Sequence, residues 1–124
     1  MFEITVQAEF CAAHTITINK HEEPIHGHNW RVTAAVTADR LDHDGLLCDF
    51  HLVERELQAI IAPFINNNLN DIHPFTSLNP TAEHVAMHIG DQLAEKLDGH
   101  LANNARVTRV SITEAPGCVA TYHR

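Results

Sequence analysis

With 124 residues, 16 acidic against 8 basic side chains and a formal net charge of −8, the chain has room for one core and lacks a basic footprint. A chain of this size buries roughly two thirds of its accessible surface, which fits one domain or one subunit of an assembly, and residues 1–124 read as a single domain. The charge argues against nucleic acid as a partner, because releasing counterions needs a basic surface, and no apolar run approaches the roughly 20 residues that span a membrane.

The opening MFEITVQAEF alternates and lacks the basic-then-apolar layout of a signal peptide, so a soluble, cytoplasmic protein is expected. Residues 2–14 place Phe2, Ile4, Val6, Ala8, Phe10 and Ala12 on one face and polar residues with Cys11 on the other, the mark of a half-buried strand. Residues 28–38 repeat the pattern with Trp30, Val32, Ala34, Val36 and Ala38. The segment LDHDGLLCDF turns at Gly45 and offers Asp49 as a helix N-cap. Phe50, Val53, Leu57, Ile60, Ile61 and Phe64 then recur at helical spacing.

Residues 65–80 read as a polar loop, and Asn79-Pro80 opens a second helix that buries Val85, Ala86, Ile89, Leu93 and Leu97 before Asp98-Gly99 stops it. Residues 106–114 alternate again, with Thr108, Val110, Ile112 and Glu114 on one face, and a Pro116-Gly117 turn leads to a short last strand. The order β-β-α-α-β-β predicts an α+β domain, an antiparallel four-stranded sheet with two helices on one face. Its open edges would be covered if several such sheets closed edge to edge into an oligomeric barrel.

Histidine is enriched, at eleven residues with no run, while Cys11, Cys48 and Cys118 are odd in number and lack C-x-x-C spacing, as reduced thiols do. His26 and His28 lie two apart in HGH, so an extended chain points both rings to one side, with Gly27 removing bulk between them. They continue the face of Trp30, and His14 continues that of Phe10 and Ala12. Three imidazoles in phase at strand ends would leave too many buried ring nitrogens unsatisfied unless they share a partner. One tetrahedral Zn²⁺ would satisfy all three and keep a fourth position open. Glu114 prolongs an apolar row, where its carboxylate could take two adjacent N–H donors of a planar ligand.

These residues resemble the 6-pyruvoyl-tetrahydropterin and 6-carboxy-tetrahydropterin synthase family, nearly end to end. The likeness lies in FCAAH ending at His14, HGHNW from His26, GLLCDF ending at Phe50, NPTAE from Asn79 and ITE ending at Glu114. It implies a trimer or a dimer of trimers, zinc on His14, His26 and His28, and a pterin ring held by Glu114 with Thr81 in contact. The implied substrate is the small molecule 7,8-dihydroneopterin triphosphate, in a deazapurine (queuosine) or folate-type route.

The departures are catalytic. Where the family places a general-base cysteine, this chain has Glu22 followed by Glu23, and the family's Asp-His pair falls on Ile65 and Asn66, which cannot move protons. Glu22 and Glu23 are therefore the candidate bases, with His73 a weaker substitute for the missing histidine. The reading is a zinc-dependent lyase with an altered base. Two alternatives stay open: a variant that forms 6-hydroxymethyl-dihydropterin, and a pterin- or purine-binding zinc protein without turnover.

Overall fold

The computed structural model describes residues 1–124. The alternating segments form β1 (Phe2–His14) and β4 (His26–Ala38), paired antiparallel along their whole length, with Phe10 opposite Trp30, Ala12 opposite His28 and His14 opposite His26. Between them lies a small separate hairpin, β2 (Thr17–Ile18) with β3 (His21–Glu22). The chain continues through α1 (Phe50–Ile61), β5 (Asn67–Asn68), α2 (Ala82–Leu97), β6 (Arg106–Ala115) and β7 (Cys118–His123).

Both helices start where their caps dictate. The Asp49 carboxylate accepts the His51 N–H at 2.9 Å, and the Thr81 hydroxyl accepts the His84 N–H at 3.1 Å. Asp98 and Gly99, the latter at φ +80°, end α2. Both helices pack on the face of the sheet that carries Val6, Ala8, Phe10, Trp30, Val32, Val110 and Ile112, and these side chains merge with Val53, Leu57, Val85, Ile89 and Leu93 into one apolar core. Gly90 matters here: a Cβ would come within 2.8 Å of the Tyr122 ring, so α2 approaches β7 only because that side chain is missing. The other face is polar and tied by cross-strand pairs, Arg31 to Glu9 at 2.8 Å and Arg109 to Glu3 at 2.6 Å.

Three details differ from the sequence reading. The sheet is five-stranded and mixed, in the order β5-β1-β4-β6-β7, because Asn67 and Asn68 pair parallel to Ala12 and Ala13. The segment read as a loop thus supplies an edge strand, and it also buries Leu69 and Phe75. Thr108 does not share the face of Val110. Val107 pairs with Val36 and Arg109 with Ala35, which leaves Thr108 as the extra residue of a β-bulge and lets Val107 and Val110 both point inward. Finally, Gly27 is not needed for clearance between the rings. It faces the open side of the sheet, and a Cβ there would meet only the Ala12 carbonyl, at 3.8 Å.

Candidate metal centre

Where β1 and β6 end and β4 begins, the covered face changes from hydrocarbon to imidazole. Trp30 forms the boundary: it is fully buried, stacks on Phe10 with ring centroids 5.9 Å apart, and donates its indole N–H to the Ala12 carbonyl at 3.1 Å. His14 and His28 stand edge-on to it at 4.8 and 5.6 Å. His14 is fully buried, while His26 and His28 are partly so.

Hydrogen bonds set the ring orientations. His14 Nδ1 lies 2.8 Å from the Pro80 carbonyl and His26 Nδ1 lies 3.0 Å from the Pro24 carbonyl. A carbonyl can only accept, so each Nδ1 carries the proton and each Nε2 presents a lone pair. Those two lone pairs face each other across 3.1 Å, an arrangement that repels unless a cation lies between them. Nitrogens bound to one tetrahedral metal ion stand about 3.3 Å apart, nearly the same spacing. The Nε2 of His28 is buried without an aligned hydrogen bond, although Glu114 Oε1 approaches to 2.8 Å. Burial holds the His28 ring below the ordinary imidazole value against the pull of Glu114, with His14 and His26 adding to the lowering, and neutral imidazole is the ligating form. Glu114 Oε1 is also 3.3 Å from His14 Nε2. One ligand atom from each of His14, His26, His28 and Glu114 lies within 4.8 Å of all the others, so the group could hold a metal ion. Backbone carbonyls fixing the far nitrogen of two rings are the usual support of such a site.

The remaining predicted residues divide. Glu23 comes to the group, with Oε1 3.6 Å from His26 Nε2, and the same oxygen accepts the Ile16 N–H at 3.2 Å. Glu22 does not; it is exposed on β3, opposite Thr17. Thr81 and Glu114 line one cavity of about 470 Å³ together with Ile16 and Val119. Glu114 also borders a second cavity of about 470 Å³, with His28, Arg31 and Thr113, on the polar side of the sheet. Asn66 shares a cavity of about 580 Å³ with Cys11, Asn29 and His28, and Ile65 borders a neighbouring one. Cys11 points away from the histidines, its thiol donating to Asn29 Oδ1 at 2.8 Å. His73 is outside the group; the titratable neighbour it acts on is His88, on α2. Sequence reasoning missed Asn70 and Asn79, whose side chains grip the segment before Glu23.

A three-histidine, one-carboxylate group at the end of a helix-covered sheet is a donor set that could hold a metal ion. The family model described as 6-pyruvoyl tetrahydropterin synthase matches residues 3–124, and the chain belongs to that family. Among curated relatives, a 6-carboxy-5,6,7,8-tetrahydropterin synthase of Rickettsia typhi is 26% identical over 136 residues, covering 95% of this chain and 97% of its own. Two solved structures share the fold. The Caenorhabditis elegans 6-pyruvoyl tetrahydropterin synthase has a TM-score of 0.84 at 20% identity, covering 99% of this chain and 95% of its own. A catalytic-residue variant of the Plasmodium vivax 6-pyruvoyltetrahydropterin synthase has a TM-score of 0.83 at 20% identity, covering 99% and 97%.

Proposed function

We propose that this protein is a zinc-dependent, pterin-forming lyase acting on 7,8-dihydroneopterin triphosphate, with Glu23 as the proton acceptor. The observation that carries this reading is the meeting of Glu23 with the histidine group, 3.6 Å from His26 Nε2, while Glu22 stays in solvent. His14, His26 and His28 would hold the zinc through Nε2. Bound there, zinc supplies a Lewis acid for the hydroxyls of the substrate side chain, making adjacent C–H bonds more acidic.

The chain's own residues bind, orient and accept the proton. Glu114 takes the paired N–H donors of the pterin edge, which requires its carboxylate to swing from the histidines toward the cavity it shares with Thr81. The Thr81 oxygen already caps α2, so what it offers a ligand is its O–H proton. Glu23 has one oxygen held by the Ile16 N–H, which steadies the carboxylate beside the histidine group. A glutamate base has support within the fold: the Plasmodium vivax variant replaces a glutamate described as a catalytic residue with alanine. The same placement favours a second reading, in which a carbon–carbon bond is cleaved to give 6-hydroxymethyl-dihydropterin.

Incubating the zinc-loaded protein with 7,8-dihydroneopterin triphosphate and identifying products by mass spectrometry separates 6-carboxy, 6-pyruvoyl and 6-hydroxymethyl products. A Glu23→Gln variant should lose about 10²–10⁴ in rate, the usual cost of removing a general base, and Glu22→Gln should lose nothing. Full activity in Glu23→Gln would refute the base assignment. A parent that binds pterin without forming product would leave a binding protein instead.

The same reading takes residues 1–124 as one domain and assembles three of them by sheet edges, doubled to six. The edges of β1 below Ala12 and of β7 lie open for that pairing. A stable monomer at micromolar concentration in light scattering would rule it out.

A further inference from the structure

The segment that delivers Glu23 leaves the sheet after His14 and has no long strand beside it. Two carboxamides take the place of one. The Asn70 side chain accepts the Thr15 N–H at 2.9 Å and donates to the Thr15 carbonyl at 2.9 Å. Asn79 does the same to Thr17, accepting its N–H at 3.0 Å and donating to its carbonyl at 3.0 Å. Each amide thus pairs with both backbone groups of a single residue, as a neighbouring strand would. Among side chains only Asn and Gln combine a permanent donor and an acceptor on one planar amide.

Between the two gripped residues lies Ile16, and Ile16 is the residue that holds the base. Its N–H donates to Glu23 Oε1 at 3.2 Å, and its carbonyl accepts the Glu23 N–H at 3.0 Å. The Thr15 hydroxyl adds a bond to the Glu23 carbonyl. The amides are themselves anchored. The Asn70 N–H is accepted by Asn68 Oδ1 at 3.1 Å, next to the β5–β1 pairing, and the Asn79 carbonyl accepts from His84 Nδ1 of α2 at 2.7 Å. One residue beyond Asn79, the Pro80 carbonyl fixes the ring of His14. A single turn therefore sets both a metal-site histidine and the approach of the carboxylate.

We propose that Asn70 and Asn79 are positioning residues for Glu23, a pair of clamps that substitute for sheet pairing and hold the carboxylate at the metal site. The proposal rests on the reading of Glu23 as proton acceptor. Small displacements of a reacting group can cost about 10²-fold in rate, so losing either clamp should act on kcat and spare binding.

The test is a set of double-mutant cycles in the zinc-loaded protein, with Asn70→Ala and Asn79→Ala each made in the parent and in Glu23→Gln. In the parent each should lower kcat by about 10- to 100-fold with KM and zinc content unchanged. In the Glu23→Gln background neither should lower it further, because groups that act through one another are non-additive. Hydrogen exchange of the Thr15 and Thr17 amides should quicken in the matching variant. Asn70→Asp and Asn79→Asp keep size and the acceptor oxygen, and carry the same comparison should an alanine variant not fold. If the variants retain the parent kcat, or lose the same factor in both backgrounds, the clamps do not act through Glu23 and the proposal fails while the base assignment stands. If Glu23→Gln is itself fully active, the base assignment fails and the clamp proposal falls with it.

Discussion

From Ile4 to Phe10 and from Trp30 to Val36 the covered face of the β1–β4 hairpin is hydrocarbon; from Ala12 to His14 and from His26 to His28 it is dominated by imidazole. The alternation, the pairing and the helix-covered side are the same in both halves. Their polar accounting is not. In the hydrocarbon half the backbone groups pair across the ladder, and the one polar side-chain group, the Trp30 indole N–H, has its acceptor in the Ala12 carbonyl. In the histidine half Nε2 lone pairs converge, and one buried Nε2 has no aligned partner. A period of two thus brings residues to one face without deciding whether that face is finished. The hydrocarbon half is complete as folded, and the histidine half keeps converging nitrogens that a cation could satisfy.

Changes that separate the two halves make the comparison testable. The largest effect should follow His28→Ala. It should weaken metal binding by more than the about 10- to 100-fold that losing a supporting hydrogen bond costs, read by competition with a chelator. A variant that keeps one tightly held ion per chain would show that His28 is a packed core residue. A smaller effect of the other kind should follow Ile112→Ala. Ile112 is fully buried opposite Val32, and its truncation should cost about 2–5 kcal/mol in denaturant unfolding with metal stoichiometry unchanged. Loss of metal from that variant would mean that the two halves are coupled.

The same contrast explains what could be read without coordinates. Alternation located β1 and β4 and put His14, His26 and His28 in phase, because a strand's period needs only the local chain. Local signals located both helices: Asp49 caps the first as expected, and Asn79-Pro80 marked the approach to the second, whose cap is Thr81. The β5 strand was hidden, because two residues carry no period and Asn67-Asn68 reads as turn. Glu22 and Glu23 could not be separated either. They are adjacent, and what distinguishes them is the Ile16 contact, made through a segment held by Asn70 and Asn79 from far along the chain. Glu114 was expected at the end of a row on the covered face; that its carboxylate reaches two of the histidines depends on the β4–β6 ladder.

The bulge at Thr108 makes β6 behave as two rods with a slip joint between them. The lower rod takes its orientation from Val36, while the upper takes it from the pairing that runs from Ala34 opposite Val110 to Arg31 opposite Thr113. Shortening the chain by one residue at Thr108 would therefore be absorbed at the joint, leaving Glu114 aimed at the histidines. The same shortening between Val110 and Thr113, where the register with β4 and β7 is unbroken, meets no joint until the second slip, which lies at Glu114 itself between Thr113 and Ala115. Tolerance to length along this strand is thus uneven, loose at the slips beside Thr108 and Glu114 and rigid from Val110 to Thr113 between them.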